Sequence, residues 1–351
     1  MGRRKKIQTN AVESKVNDKK AKFKVVAVGE QGKTKIVQIA NNLPFTLLAG
    51  PCQLQDRDLA MKIAEKMVTI TDKLGINYVF KASWDKANRN SIVGPRGIGY
   101  EKGMKIFDEI RETFRCPVLT DVHTNEQPAM VAPHVDMLQQ PAFLIRQTDL
   151  SLAIAKTGKA CNLKKGQFQA PHEMKNIIEK YVESGNDKIL LTERGSSFGY
   201  GCLIVDTTSY ITMAETGYPI VCDATHAVQR PAAMGNASGG DGKMAPYIAR
   251  AALSTGLCGA LFIETHPEPA EKGGSDKMNM IPLMYMEELL KQWKEIDAIC
   301  KENQSIYKKW KQEGMPIDDI KVEMKEKVEK INAKKIKIFM QDGKSMEFFT
   351  R

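Results

Sequence analysis

Short apolar runs recur along the chain from Phe45 to about Cys300, separated by stretches of helical length. The runs are 45–50 (FTLLAG), 78–82 (YVFKA), 117–122 (PVLTDV), 137–141 (MLQQP), 160–165 (ACNLKK), 188–193 (KILLTE), 219–224 (PIVCDA) and 260–265 (ALFIET). Between them, Asp58–Leu74, Tyr100–Phe114, Met174–Ser184 and Ala245–Thr255 read as helices. Eight strand–helix units in about 250 residues predict an α/β fold, the (β/α)8 TIM barrel. A doubly wound open sheet is the alternative, and the lack of a GxGxxG turn counts against it.

The two ends follow other patterns. Residues 1–24 are polar, lysine-rich and without periodicity, so a disordered basic leader is expected. Two apolar runs around Gly29–Thr34 predict an N-terminal β-hairpin over 25–42, ahead of a catalytic barrel domain over 43–300. Residues 301–351 read as a C-terminal extension, with a charged amphipathic helix at 318–331 and a hairpin at 336–349 turning on Asp342-Gly343.

Charge sharpens this division. Of the net +10, residues 1–24 hold +7 and residues 301–351 hold +4, which leaves about −1 for 25–300. The basicity therefore describes the ends: a solubilising leader, or a weak nucleic-acid contact. No nucleic-acid partner is expected of the barrel itself. No apolar run approaches the roughly 18–20 residues of a membrane span, so no membrane association is expected. The basic N-terminus lacks the apolar core of a signal peptide. Seven cysteines without a CxxC pair argue against a disulfide framework and for a reducing, cytoplasmic setting.

In a TIM barrel, chemistry gathers at the C-terminal ends of the strands. Reading those ends in order gives Cys52, the Lys81–Arg89 cluster, Asp121 with His123, Gln139, Lys164, Arg194, His226 and Glu264. The segment 80–91 (FKASWDKANRNS) taken alone is equally a solvated basic loop. A polar group at nearly every strand end makes it part of an anion site. Lys81, Lys86, Lys164 and Arg194 come from three strands and can converge over the mouth, with Arg89 further out. Such a grouping suits two anionic ligands, lysine supplying point charge and arginine a planar fork.

A second constellation lies beside it. Closure of the barrel makes Cys52, His226 and Glu264 ends of neighbouring strands, and Asp276 follows on the next loop. A thiolate, an imidazole and two carboxylates suit Zn²⁺ or Fe²⁺. The other reading is a small buried Cys52 and a satisfied core His226. His266, on the same strand face as Glu264, competes as a ligand. Spacing leaves these alternatives open.

The segments LLAGPCQLQ (47–55), FKASWDKANRNS (80–91), TDVH (120–123), LQQPAFLIRQTDL (138–150), NLKKGQF (162–168), ERGSSFGYG (193–201), CDATHAVQ (222–229), NASGG (236–240) and FIETHPEP (262–269) resemble the 3-deoxy-D-manno-octulosonate 8-phosphate synthase family. The likeness runs from about residue 43 to 300, and KANR together with DATHAVQ is its most specific part. The resemblance implies condensation of phosphoenolpyruvate, arabinose 5-phosphate and water to an eight-carbon sugar acid phosphate and inorganic phosphate. It implies that Lys81, Ser83, Lys86, Gln139, Lys164 and Arg194 hold phosphoenolpyruvate. Asn88 and Arg89 then take the sugar, with Arg89 on its phosphate, and Ser238 reaches the sugar phosphate of a neighbouring subunit. Family members that end the first strand in Cys are metal-dependent, which makes Cys52, His226, Glu264 and Asp276 the ligands of Zn²⁺ or Fe²⁺, with Mn²⁺ next in line. Lys86 or His226 is expected to move a proton, with Asn88, Asp121 and His123 completing the catalytic set. A homotetramer is also implied.

The long basic leader and tail depart from the usual compact member of that family. Two rivals remain at this level. A 3-deoxy-arabino-heptulosonate 7-phosphate synthase would share the metal set but carry Lys-Pro-Arg-Thr where this chain has Lys86-Ala-Asn-Arg89. An inactive barrel would serve as a binding protein through its basic ends.

Overall fold

The computed structural model describes residues 23–88, 96–230, 239–272 and 276–302. The leader through residue 22 and the extension from 303 onward, with its expected helix and hairpin, lie outside the described residues.

A hairpin opens the described chain: β1 (Val26–Val28) pairs antiparallel with β2 (Val37–Ile39). Eight parallel strands follow. They are β3 (Thr46–Gly50), β4 (Tyr78–Lys81), β5 (Val118–Asp121), β6 (Met137–Gln140), β7 (Ala160–Lys164), β8 (Ile189–Glu193), β9 (Ile220–Asp223) and β10 (Cys258–His266). Each pairs with the next, and β10 pairs with both β9 and β3, so the barrel closes. All eight predicted runs are strands. The last is longer than its apolar pattern at both ends, where Cys258 pairs with Ile220 and His266 with Pro282.

Strand alternation sets two layers inside the barrel. Leu48, Val79, Leu119, Met137, Ala160, Leu190, Val221, Ala260 and Phe262 form one apolar cluster with Val26, Val28, Val37 and Ile39 of the hairpin. The hairpin thus plugs the N-terminal end. Two residues further along the strands, the same inward face carries Lys81, Asp121, Gln139 and Asp223, and on the longer strands Lys164 and Glu264. The polar layer is the next turn of the period that built the core. At β3 that inward position is Gly50, where a Cβ would lie 2.2 Å from the Lys81 carbonyl oxygen.

Helices cover the outside: α1 (Arg57–Leu74), α2 (Tyr100–Phe114), α3 (Gln127–Val131), α4 (Thr148–Lys156), α5 (Met174–Glu183), α6 (Thr208–Ala214), α7 (Ala224–Ala227), α8 (Ala245–Ser254), α9 (Pro269–Lys272) and α10 (Met286–Glu302). The first shows the logic. Asp56 caps it by accepting the Leu59 N–H at 2.8 Å, and Gly75 ends it with φ of 64°. Ala60, Ile63, Ala64, Met67 and Ile70 form its buried face. None of the helices among the described residues is long and apolar enough to cross a membrane. None of the seven cysteines, all among the described residues, is in a disulfide.

One buried ion pair ties a barrel helix to the sheet. Arg111 of α2 donates to Asp136 at 3.0 and 3.1 Å and to Glu30 of the hairpin turn at 2.6 Å. Asp136 also accepts the Val118 N–H that starts β5, at 2.9 Å. Arg111→Met leaves the Asp136 carboxylate buried without its cation. We expect a loss of about 3–5 kcal/mol in unfolding free energy by urea denaturation. An unchanged value would mean that the pair contributes no net stability.

Candidate active site at the barrel mouth

The strand ends bring the two sequence constellations into one buried cluster. Lys81 Nζ donates to Glu264 Oε1 at 2.9 Å and lies 3.4 Å from the Cys52 carbonyl oxygen. Lys164 Nζ meets Asp223 Oδ2 at 2.5 Å. Arg194 Nη2 donates to Gln229 Oε1 at 2.9 Å, and Gln229 Nε2 donates to Asp276 Oδ1 at 3.0 Å. Gln139 accepts from Asn162 of the adjacent strand at 3.0 Å. The cations are therefore not bare. Lys81 and Lys164 each have a carboxylate partner, which the strand-end pattern did not predict.

Several polar atoms at this mouth are buried and unsatisfied. Among the described residues, Ser83 Oγ, Asp121 Oδ1, His123 Nδ1, Arg194 Nη1 and Glu264 Oε2 have no hydrogen-bond partner. Buried polar groups are nearly always paired in folded proteins, so these orphans mark a place where a ligand completes the bonding, its oxygens serving the Ser83 and Arg194 donors and its hydroxyls or a cation serving the Asp121 and Glu264 oxygens.

The metal candidates converge in part. Ligand atoms of Cys52, Glu264 and Asp276 all lie within 4.8 Å of one another. Cys52 Sγ is 3.0 Å from Asp276 Oδ2. His226 Nε2 faces Glu264 Oε1 at 3.6 Å, while its Nδ1 is 2.9 Å from Asp223 Oδ2. Holding one ring nitrogen by a carboxylate and leaving the other toward a cluster of acids is how ligating histidines are oriented. His266, the competing candidate, is turned back on its own chain, where Nδ1 accepts the Glu268 N–H at 2.9 Å. It is not among the converging residues. The donor chemistry fits a divalent ion: one thiol, one imidazole and two carboxylates, with an unsatisfied Glu264 oxygen.

Electrostatics follow from burial and crowding. Burial pushes the Cys52 thiol well above its usual range, and Glu264 and Asp276 add to it, partly offset by Lys86 and Lys81. Burial opposes the charge on Lys86, but the acidic groups around it, Cys52, Glu264, Asp121 and Asp276, reverse that and raise its pKa. Lys164 is lowered by burial, with Asp223 pulling it back only in part. Burial works against the Glu264 carboxylate too, yet His226, Lys81 and Lys86 bring it to about 2 from an ordinary 4.5. Asp121 and Asp223 are likewise held below the usual carboxylate range.

These carboxylates are more acidic folded than unfolded. The stability they contribute is complete above the unfolded value and lost as pH falls toward the folded one. In metal-free protein the contribution of these three carboxylates to the unfolding free energy is thus expected to be complete down to about pH 5 and to shrink progressively toward about pH 2. Urea titrations across that range check this, and a flat profile would contradict it.

Other expected site residues fall in different places. Asp121 and His123 meet at the end of β5, with His123 Nε2 3.3 Å from Asp121 Oδ2. Asn88 is exposed on the turn after Lys86. The base of that segment is pinned by Arg96, which grips both Asp85 oxygens at 2.8 and 2.6 Å, and whose carbonyl accepts the Lys86 N–H. Arg89 and Ser238 lie outside the described residues. Two contributors were not foreseen, Asp223 and Gln229. Asp223 caps α7, accepts the His226 N–H at 3.0 Å and joins Lys164 to His226. Both stand inside the segment CDATHAVQ, which was the available signal.

A family model described as the DAHP synthetase I family matches residues 17–302. The chain is 52% identical to the 2-dehydro-3-deoxyphosphooctonate aldolase of Shewanella denitrificans over 76% of this chain and 92% of that protein. It is 51% identical to the protein of that name from Granulibacter bethesdensis, over 78% of this chain and 98% of the other. The chain belongs to the 2-dehydro-3-deoxyphosphooctonate aldolases. That name denotes the same enzyme as the octulosonate phosphate synthase the motifs resemble. The family match covers the whole barrel and every strand end that contributes to the cluster.

Proposed function

We propose that the chain condenses phosphoenolpyruvate with arabinose 5-phosphate and water, giving 3-deoxy-D-manno-octulosonate 8-phosphate and inorganic phosphate. The observation that carries this is the concentration of buried cations and unsatisfied polar atoms at the mouth of the barrel, in a chain about half identical to aldolases of that name. Phosphoenolpyruvate brings a phosphate and a carboxylate. Lys81, Ser83, Lys86, Gln139, Lys164 and Arg194 supply fixed cations and donors for them, in a setting dry enough to strengthen each contact. Asn88 and Arg89 take the sugar, Arg89 on its phosphate, and Ser238 reaches the sugar phosphate of a neighbouring subunit. Holding both anions in reacting geometry supplies much of the acceleration.

In the reaction, C3 of the enol attacks the aldehyde carbon, water adds to C2, and phosphate leaves with cleavage of its C–O bond. The new alkoxide needs a proton. Lys86 and His226, both at this mouth, are the two groups we assign to that proton transfer. Asp121 and His123 line the same rim. Cys52, His226, Glu264 and Asp276 would hold the divalent ion, Zn²⁺ or Fe²⁺ by donor softness. When bound, such an ion polarises the aldehyde oxygen as a Lewis acid. The proposed setting is a cytoplasmic homotetramer; sedimentation equilibrium of the purified chain reads the subunit number.

Phosphate release from phosphoenolpyruvate tests the reading. Release should require arabinose 5-phosphate. Release driven better by erythrose 4-phosphate would support the heptulosonate synthase instead, and no release with either would support an inactive barrel.

A further inference from the structure

We propose that Phe262 is a positioning residue, the floor of the anion site, whose ring holds the Lys81 and Lys164 ammoniums in place; this rests on the reading that both lysines take phosphoenolpyruvate. Phe262 is fully buried on β10, two residues before Glu264 and so one layer beneath it on the same face. Lys164 Nζ lies 4.0 Å from the ring centroid and Lys81 Nζ 5.0 Å. Both are inside the ~6 Å within which an aromatic face attracts a cation. The His226 ring packs against it as well, 5.8 Å between centroids and tilted by 53°.

The choice of residue has a physical consequence. Two like charges are brought together in a buried space, and each has a carboxylate partner in Glu264 or Asp223. Further carboxylates would stabilise the pair but cancel the positive potential that an anionic substrate needs. A neutral ring attracts both ammoniums through its quadrupole, adds no net negative charge and accepts no proton. It also leaves the remaining N–H donors of each lysine for substrate oxygens. Elsewhere in this layer the strands use Leu48, Val79, Leu119, Leu190 and Val221, which fill space but offer no such face.

Phenylalanine analogues with successively more ring fluorines, inserted at position 262, weaken the quadrupole with little change of shape. The dissociation constant for phosphoenolpyruvate, measured by calorimetry, is expected to rise stepwise with fluorine number to about tenfold. The unfolding midpoint should fall slightly along the series, since the free protein loses the same attraction, and the KM for arabinose 5-phosphate should not follow it. Phe262→Leu is expected to weaken phosphoenolpyruvate too, but lost packing would do the same, so the fluorine series decides. Lys164→Met in the parent is the control. A flat fluorine series beside a weakened Lys164→Met protein overturns the floor alone. A Lys164→Met protein that binds phosphoenolpyruvate as tightly as the parent overturns the anion site, and the floor with it.

Discussion

Lys164→Met is expected to lower kcat/KM for phosphoenolpyruvate by roughly 10²–10³-fold, the range seen when one preorganised electrostatic donor is removed from a dry site. Lys164 ends β7 on the inward face, buried, 2.5 Å from Asp223 and over the Phe262 ring. A cation so fixed cannot be replaced by water or by a neighbour swinging in. The loss should fall on phosphoenolpyruvate, with the KM for the sugar phosphate little changed, since the sugar is assigned to the outer Asn88–Arg89 segment. Removing the lysine also leaves Asp223 with one cationic neighbour fewer. A lower unfolding free energy is therefore expected, and circular dichroism must show the variant folded before its kinetics are read. A folded variant with kcat/KM near the parent value would remove Lys164 from the anion site.

Stripping divalent metal with a chelator is expected to lower activity on the order of 10²–10³-fold, the several kcal/mol that a Lewis acid supplies at a developing oxyanion. Activity should return when Zn²⁺, Fe²⁺ or Mn²⁺ is added back. The prediction rests on the converging Cys52, Glu264 and Asp276 ligand atoms and the nearby His226 nitrogen. Because the buried Cys52 thiol is pushed up, binding must release its proton, so metal affinity should increase with pH. Elemental analysis provides a readout independent of turnover. About one equivalent per chain is expected in the parent and far less in Cys52→Asn, by loss of one of four ligands. That variant should keep some turnover that no longer responds to metal. A fully active chelated parent would contradict the assignment.

How far the sequence disclosed this site follows from the geometry of strands. Apolar runs announce strands because the inner layer must be filled; two residues onward along the same face stand Lys81, Asp121, Gln139 and Glu264, and Lys164 stands four beyond Ala160. Local spacing therefore located most of the mouth. Bringing Cys52, His226 and Glu264 together needed one further step, closure of β10 between β9 and β3, which the count of eight units supplied. Pairing in space was not legible. Asp223 precedes a histidine by three residues, an ordinary cap spacing, and nothing local says that Lys164 reaches it across the barrel. Phe262 reads as one more apolar residue of a core strand until two ammoniums are found over its ring. His266 competed as a ligand in the sequence for the opposite reason. It shares the strand face of Glu264, but the chain beyond it turns and gives its Nδ1 to the Glu268 amide.

The central claim is that the strand-end cluster joins phosphoenolpyruvate to a five-carbon sugar phosphate. One mixture tests it most directly: purified protein, phosphoenolpyruvate, and arabinose 5-phosphate with erythrose 4-phosphate in equal amounts, with products resolved by mass spectrometry. The account predicts that the eight-carbon sugar acid phosphate dominates. A seven-carbon product in excess, or no condensation product at all, would contradict it.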